Sequence, residues 1–379
     1  MNRTAGLAEP PSRRALTAGQ RHFVAAFLRS FDAVEAAVAS GIPASEARHT
    51  ASALLLTPAV TASIAQALAE RARRAAGAGR QVRDMLARKT PLRSGLRRLA
   101  REMVARAGFR LERVTEGPGA GAGQPLLHVH HEGRCFYCLG ESPISRRLLA
   151  GGAWDAHFKR ILLERAGQGK TGTVVEVGAN IGATFLPISA GLPQFRFVMI
   201  EPVREFYDVL EMNRRSFGAE NVVLHHMAVS DGRADHLLLI VDNVSAGVSA
   251  AGVMRNRFDA RVQQAVALDN LFPHDNIAML KADVDGFEID VLKGAKALLR
   301  RSRPDILLEF NPFAMEVRGI DPLELLALLT EVGADTFTLY SDDGQFLETT
   351  ADPKRVLAAH RALKRPQAYA DLHAAWSRP

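Results

Sequence analysis

The stretch Thr173-Val-Val-Glu-Val-Gly-Ala-Asn-Ile-Gly-Ala-Thr184 decides how this chain is read. A β-branched apolar run, Val174 to Val177, stops at Gly178. Asn180 and Gly182 follow, and a helix-like run opens at Ala183. A buried strand, a tight glycine-rich turn and a helix start bring backbone N–H groups close to a bound nucleotide. A β-to-α turn that merely needs small residues looks the same, so the surroundings decide. The next strand-like run, Phe195 to Ile200, ends in the carboxylate Glu201, twenty-five residues after Glu176. An acid at that place accepts hydrogen bonds from both hydroxyls of a ribose, as it also does in dinucleotide sites. The turn separates the two. A dinucleotide fingerprint reads G-x-G-x-x-G, whereas Glu176-x-Gly178-x-Asn180-x-Gly182 followed by Glu201 suits S-adenosylmethionine better than NAD.

Outward from this stretch, apolar runs at 173–177, 195–200, 222–227, 277–282 and 305–310 alternate with helical segments. That pattern predicts an α/β fold, a mostly parallel sheet with helices on both faces. Such sheets bind ligands beyond the carboxyl ends of their strands, where strand order reverses. Runs at 236–241 and 262–268 suggest an antiparallel insertion, and one around 335–340 an edge strand. Four segments follow: a small all-α domain over 15–72, a basic helical connector and Gly-rich linker over 73–125, the α/β domain over 126–350, and a C-terminal helix over 351–379.

Apolar residues make up 47% of the 379 and charged residues 23%, ordinary for a soluble protein. No stretch approaches a membrane span and no signal-peptide core opens the chain, which predicts a cytoplasmic protein. Cys135 and Cys138 sit too close together for a secreted disulfide framework. With His128, His130 and His131 they raise the question of zinc, but a structural site takes four well-spaced ligands, and neighbours on a strand face opposite sides. No metal ligand set is assigned.

Residues 1–120 carry 20 Lys+Arg against 9 Asp+Glu, and the remainder 28 against 32. A basic arm on a mildly acidic body fits either nucleic acid or an anionic surface as a partner for residues 1–113, or a solvated arginine-rich extension. Thr17 caps a helix carrying Phe23, Val24, Phe27 and Leu28. A second helix runs from Asp32 to Ser40, a third is capped by Ser45, and a fourth opens at Thr57-Pro58. The runs Leu16-Thr-Ala-Gly-Gln-Arg-His-Phe-Val24 and Ala47-Arg-His-Thr-Ala-Ser-Ala-Leu-Leu-Leu-Thr-Pro-Ala-Val60 resemble the helix-turn-helix domain of phage terminase small subunits. The third helix offers only Arg48 and His49 as phosphate or base contacts, which favours an inert or oligomerising helical domain over a DNA reader.

From Ile144 a second resemblance becomes continuous. Ile144-Ser-Arg-Arg-Leu-Leu-Ala-Gly-Gly-Ala-Trp-Asp155, the turn after Val177, Glu201-Pro202, Ala228-Val-Ser-Asp231, Ala267-Leu-Asp-Asn-Leu-Phe272 and Leu280-Lys-Ala-Asp-Val-Asp-Gly-Phe-Glu-Ile-Asp-Val-Leu-Lys-Gly-Ala295 resemble the FkbM family of S-adenosylmethionine-dependent methyltransferases. The likeness runs from about 126 to 345. Glu176 stands where the family usually has Asp, and Ala282 and Asp285 where it has Ile and Glu. The resemblance implies a Rossmann-like class I methyltransferase fold, S-adenosylmethionine as cofactor, and oxygen acceptors on sugars, glycans or secondary metabolites.

On this reading Gly178, Asn180 and Gly182 form the wall beneath the methionine moiety, Glu176 holds its amino group through water or backbone, and Glu201 takes the ribose. Val229 and Ser230 contact adenine or are a simple strand exit. Methyl transfer is an in-line displacement, so the protein positions the acceptor and takes its proton. Asp283 and Asp285 are the candidate catalytic acids. Asp283 is the acceptor-side base, or with Glu309 it holds a divalent metal, or it caps the helix near Phe287. Ser245 to Met254 is a loop over the acceptor. Two competing functions use the basic arm: a DNA methyltransferase, and a DNA-binding regulator that senses S-adenosylmethionine.

Overall fold

Alternate residues of the central strands are apolar on both sides, and the fold buries both. Val175, Val177, Val198 and Ile200 pack into one cluster, with Leu280, Ile306 and the helices Glu288–Lys293, Lys296–Ser302, Pro322–Glu331 and Pro353–Arg361. Val174, Phe195, Phe197 and Met199 pack on the opposite face, with the helices Ala156–Gly167 and Arg204–Ser216. Each fully buried aliphatic or Phe side chain contributes ~1.5–3 kcal/mol. The computed structural model describes residues 16–30, 33–55, 57, 59–60, 63–64, 67, 112–114, 126–131, 134–140, 142–241, 246–247, 259–363 and 369–377. The connector and linker expected over 73–125 lie outside these apart from 112–114, as does the loop expected over Ser245–Met254 apart from 246–247.

Strands β1 (Glu112–Val114), β2 (Leu126–His131) and β3 (Arg134–Leu139) form a small antiparallel sheet. The main sheet starts with β4 (Gly172–Val177), β5 (Phe195–Ile200) and β6 (Val222–His225). An excursion follows through β7 (Ala228–Val229), β8 (His236–Val241), β9 (Ala246–Gly247) and β10 (Asp259–Val266), in which β8 and β10 pair antiparallel. The chain returns with β11 (Ile277–Ala282), β12 (Asp305–Phe310), β13 (Thr336–Ser341), β14 (Phe346–Thr350) and β15 (Ala370–Ala375). The eight-stranded sheet has the order β14-β13-β15-β12-β11-β4-β5-β6. Pairing is parallel from β12 through β11, β4 and β5 to β6, and antiparallel on both sides of β15. The order reverses at β4, so the crevice between the ends of β4 and β11 is where a ligand belongs. This is the Rossmann-like class I methyltransferase fold.

Two expectations are corrected. The segment 351–379 is not one helix: the helix ends at Arg361, and Ala370-Asp-Leu-His-Ala-Ala375 inserts as β15 between β12 and β13. Alanine-rich sequence carries little strand propensity, and pairing on both sides overrides it. The run near 335–340 is not the edge, because β14 lies outside it.

The hairpin β2–β3 is tied to the helix Arg204–Ser216. Asn213 is fully buried; its Oδ1 accepts from Tyr137 N at 2.6 Å, and its Nδ2 donates to Tyr137 O and Ile181 O at 3.0 and 2.8 Å. Near the N-terminus, helices Ala18–Ser30, Ala33–Ala39 and Ala44–Leu55 enclose Phe23, Phe27, Ala47, Val60 and Ile64. Thr17 and Gln20 exchange hydrogen bonds at the first helix start. The third helix begins at Ala44, one residue before its expected cap. His49 is exposed, and the remainder of the fourth helix lies outside the described residues.

Candidate active site

The turn after β4 is built by the protein's own packing. Gly178, Asn180 and Gly182 all take positive φ, +78°, +51° and +84°. A Cβ on Gly178 would stand 1.9 Å from Asp283 O, because the turn after β11 lies directly against it. A Cβ on Gly182 would stand 2.6 Å from Leu210 Cδ1 in the helix behind. Neither glycine needs a ligand to explain it. Gly178 and Asn180 line the cleft that opens here, of about 280 Å³, and Gly182 does not.

Glu201 closes the end of β5 at 2% exposure. Asn180 N donates to its Oε2 at 2.7 Å and Val203 N to its Oε1 at 2.8 Å, so the carboxylate faces the cleft in one orientation with lone pairs to spare. Burial pushes its pKa up to about 8 against the pull of these two N–H groups, and Asp285 and Asp283 push the same way.

Asp283 and Asp285 reach the cleft from the loop after β11, with Glu309 from the end of β12. Asp285 has φ +52°. The loop is held from behind by Glu288, whose Oε1 accepts from Val284 N and Gly286 N at 2.9 and 3.3 Å. Arg318 lies 3.5 Å over the Phe287 ring and bonds Asp290 at 2.6 Å. The helix after the loop has Phe287 at its N-cap and no side-chain cap, so Asp283 does not cap it. Burial pushes Glu288 up to about 8. Glu309 is raised well above the usual carboxylate range, by burial first and then by Asp283, Asp285 and Glu288.

Besides Gly182, three expected residues are not in the cleft. Glu176 lies behind it, 1% exposed and 3.6 Å from the ammonium of Lys281. Burial pushes Glu176 up to about 7; Lys281 pulls it down and Asp155 adds to the rise. Val229 and Ser230 are buried at the strand exit: Ser230 N donates to Val266 O at 3.0 Å, and a Cβ on Gly294 would stand 2.1 Å from Ser230 O.

Lys281 joins the site from within the motif Leu280–Ala295, of which only the acids carried an expected role. It is 2% exposed at the cleft floor, 3.2 Å from Asp283, 3.5 Å from Asp155 and 3.6 Å from Glu176. Burial works to lower its pKa, and these three carboxylates outweigh that and hold it above the usual lysine range. A lone lysine inside the apolar strand Ile277–Ala282 was the available signal. Trp154, Ile144, Phe206 and Tyr369 form the apolar and aromatic walls. Tyr369 came from the segment read as helix.

Strand order and cleft together define a class I methyltransferase architecture. Residues 176–335 match the family model of the methyltransferase FkbM domain, and residues 16–95 that of the terminase small subunit. The first match lies within the α/β domain, and the second begins in the N-terminal helices. Among solved structures it is similar to the methyltransferase FkbM from Methylobacillus flagellatus, at 17% identity over 54% of this chain and 43% of that one, with TM-score 0.34. It is similar also to a SAM-dependent methyltransferase from Geobacter sulfurreducens in complex with S-adenosyl-L-homocysteine, at 13% identity over 59% of this chain and 90% of that one, with TM-score 0.33. The chain spans less than half the length of the Methylobacillus protein. No curated protein matches.

Proposed function

We propose that this chain is an S-adenosylmethionine-dependent methyltransferase that O-methylates a hydroxyl on a sugar, glycan or secondary metabolite. The charge of the cleft carries the reading. Among the described residues four acids line it, Glu201, Asp283, Asp285 and Glu309, against one cation, Lys281, which three acids already engage. Burial raises Glu201 and Glu309, and a cation entering the cleft draws them into the ionised form. Such a cleft repels a diphosphate and favours a cofactor bearing a sulfonium and an ammonium. When bound, S-adenosylmethionine supplies an electrophilic methyl group.

The chain's own residues do the rest. Glu201, fixed by Asn180 N and Val203 N, accepts the ribose hydroxyls on its remaining lone pairs. The backbone of Gly178 and Asn180 forms the wall beside it. Asp283 orients the acceptor hydroxyl and takes its proton as the C–O bond forms, and Lys281 holds that carboxylate in place. Trp154 and Tyr369 flank the acceptor and exclude water. The alternative role for Asp283 is to hold a divalent metal with Glu309, which lines the same cleft.

Calorimetric titration with S-adenosylmethionine tests the reading. Micromolar binding is expected, weakened at least about tenfold, or 1.4 kcal/mol, in Glu201→Gln, which keeps one acceptor oxygen. Asp283→Asn should bind the cofactor and lose turnover. No binding by the wild type overturns the proposal. A second reading, nucleic acid as the acceptor, rests on the terminase-like region and the charge of residues 1–120, 20 basic against 9 acidic. Salt-dependent DNA binding by the full chain would favour it.

A further inference from the structure

Strand alternation sorts the histidines and cysteines of the β2–β3 hairpin into two faces. His128 and His130 are two residues apart on β2, and Cys135 is the cross-strand partner of His130 on β3, so all three share one face. Cys138 faces the opposite way, buried with Val129 and Phe136, and burial pushes its thiol up to about 12. The Cys-x-x-Cys spacing is therefore not the unit that matters. Cys135 Sγ lies 3.7 Å from His130 Nδ1, and one donor atom from each of His128, His130 and Cys135 falls within 4.8 Å of the others.

We propose that His128, His130 and Cys135 bind a thiophilic divalent cation of the zinc type. Two imidazoles and one thiolate are a borderline-soft donor set, suited to zinc and unsuited to magnesium or calcium. With metal–sulfur and metal–nitrogen bonds of about 2.3 and 2.0 Å, the tetrahedral edges of this set are about 3.5 Å for S–N and about 3.3 Å for N–N. The Cys135–His130 pair, at 3.7 Å, stands just beyond that S–N edge, and small side-chain rotations close it and bring in the third donor. The scaffold is firm. Ser216 Oγ donates to Cys135 O at 2.7 Å, and both backbone polar groups of Tyr137 bond Asn213. His128 is 8% exposed and His130 open to solvent, which gives one anchored ligand and an entry path. Three protein ligands leave a fourth position for water or another donor. Bound there, the ion cross-links the two strands that lead into the Pro143–Ile144 wall of the cleft.

The test uses the tag-free full chain stripped with chelator, with Zn²⁺ and Co²⁺ themselves as probes. One equivalent of Zn²⁺ should bind at submicromolar affinity in competition with a chromophoric chelator. Co²⁺ should give a near-ultraviolet thiolate charge-transfer band with intense tetrahedral d–d absorption. Loss of an outer-shell partner alone costs about 10–100-fold in metal affinity, so Cys135→Ser and His130→Ala should weaken binding at least as much and remove or shift the band. Both positions reach solvent, so the variants should fold, as circular dichroism would verify, and Cys138→Ala should keep the band. No binding tighter than micromolar, a cobalt spectrum without the thiolate band, or affinity unchanged in both variants overturns the proposal.

Discussion

Replacing Lys281 by Met keeps the length and apolar stem of the side chain and removes only its charge. Three carboxylates, at 3.2, 3.5 and 3.6 Å from Nζ, then lose their common partner. Removing one member of a buried ion cluster costs ~3–5 kcal/mol, because the remaining charges stay desolvated. The loss should depend on pH, and the sign follows from Glu176. Its pKa of about 7 already includes the downward pull of Lys281, so the variant's Glu176 holds its proton to higher pH. Above pH 7 the folded variant then binds a proton that the folded wild type has released. The variant therefore loses stability relative to wild type at ~1.4 kcal/mol per pH unit until its own Glu176 ionises. Urea unfolding at pH 6, 7 and 8 measures this. Tryptophan fluorescence is the probe, because Trp154 and Trp376 pack against the two core clusters of the sheet. Adding Glu176→Gln should recover part of the loss and flatten its pH dependence, with a coupling of ~1–3 kcal/mol. A loss below about 1 kcal/mol that stays constant with pH would refute the placement of Lys281 as the counter-charge of this floor.

Two further outcomes follow from the same electrostatics and packing. Glu176, Glu201 and Glu288 are raised to about 7, 8 and 8. The folded state thus keeps protons that the unfolded chain releases above about pH 4.5, and stability should fall as pH rises from 5 to 8. Asp305, held low against its burial by His373, Arg165 and Lys170, opposes this only in acid, losing its contribution as pH falls below the usual carboxylate range. Thermal unfolding across pH 5–8.5 checks the direction, and a midpoint that rises over this window would contradict it. Gly178→Ala should destabilise by ~2–5 kcal/mol, from ~1–2 for a positive φ and ~1–3 for overpacking against a backbone carbonyl. Gly182→Ala meets a leucine methyl instead and should cost less; the reverse ranking of urea midpoints would show that the two turns are not packed as described.

The sequence was most legible where one element carried its own signal. Val174–Gly178 and Phe195–Glu201 each announce a strand, its end and an acid or turn, and the structure places them side by side. It was least legible where a role depends on a distant partner. Gly178 reads as space for a ligand, but the atom it must clear is the carbonyl of Asp283, reached only when β11 pairs with β4. Glu176 reads as a cofactor contact for want of any sign that Lys281, on that paired strand, would turn it inward. Ala370–Ala375 carries a helical composition, and only the gap between β12 and β13 makes it a strand and brings Tyr369 to the cleft. The hairpin shows the same logic in reverse. Counting cysteines by spacing pairs Cys135 with Cys138, while pleat alternation separates them and joins Cys135 to His130 across the ladder. In each case the missing information is pairing register, a property of two strands together that no single stretch of sequence contains.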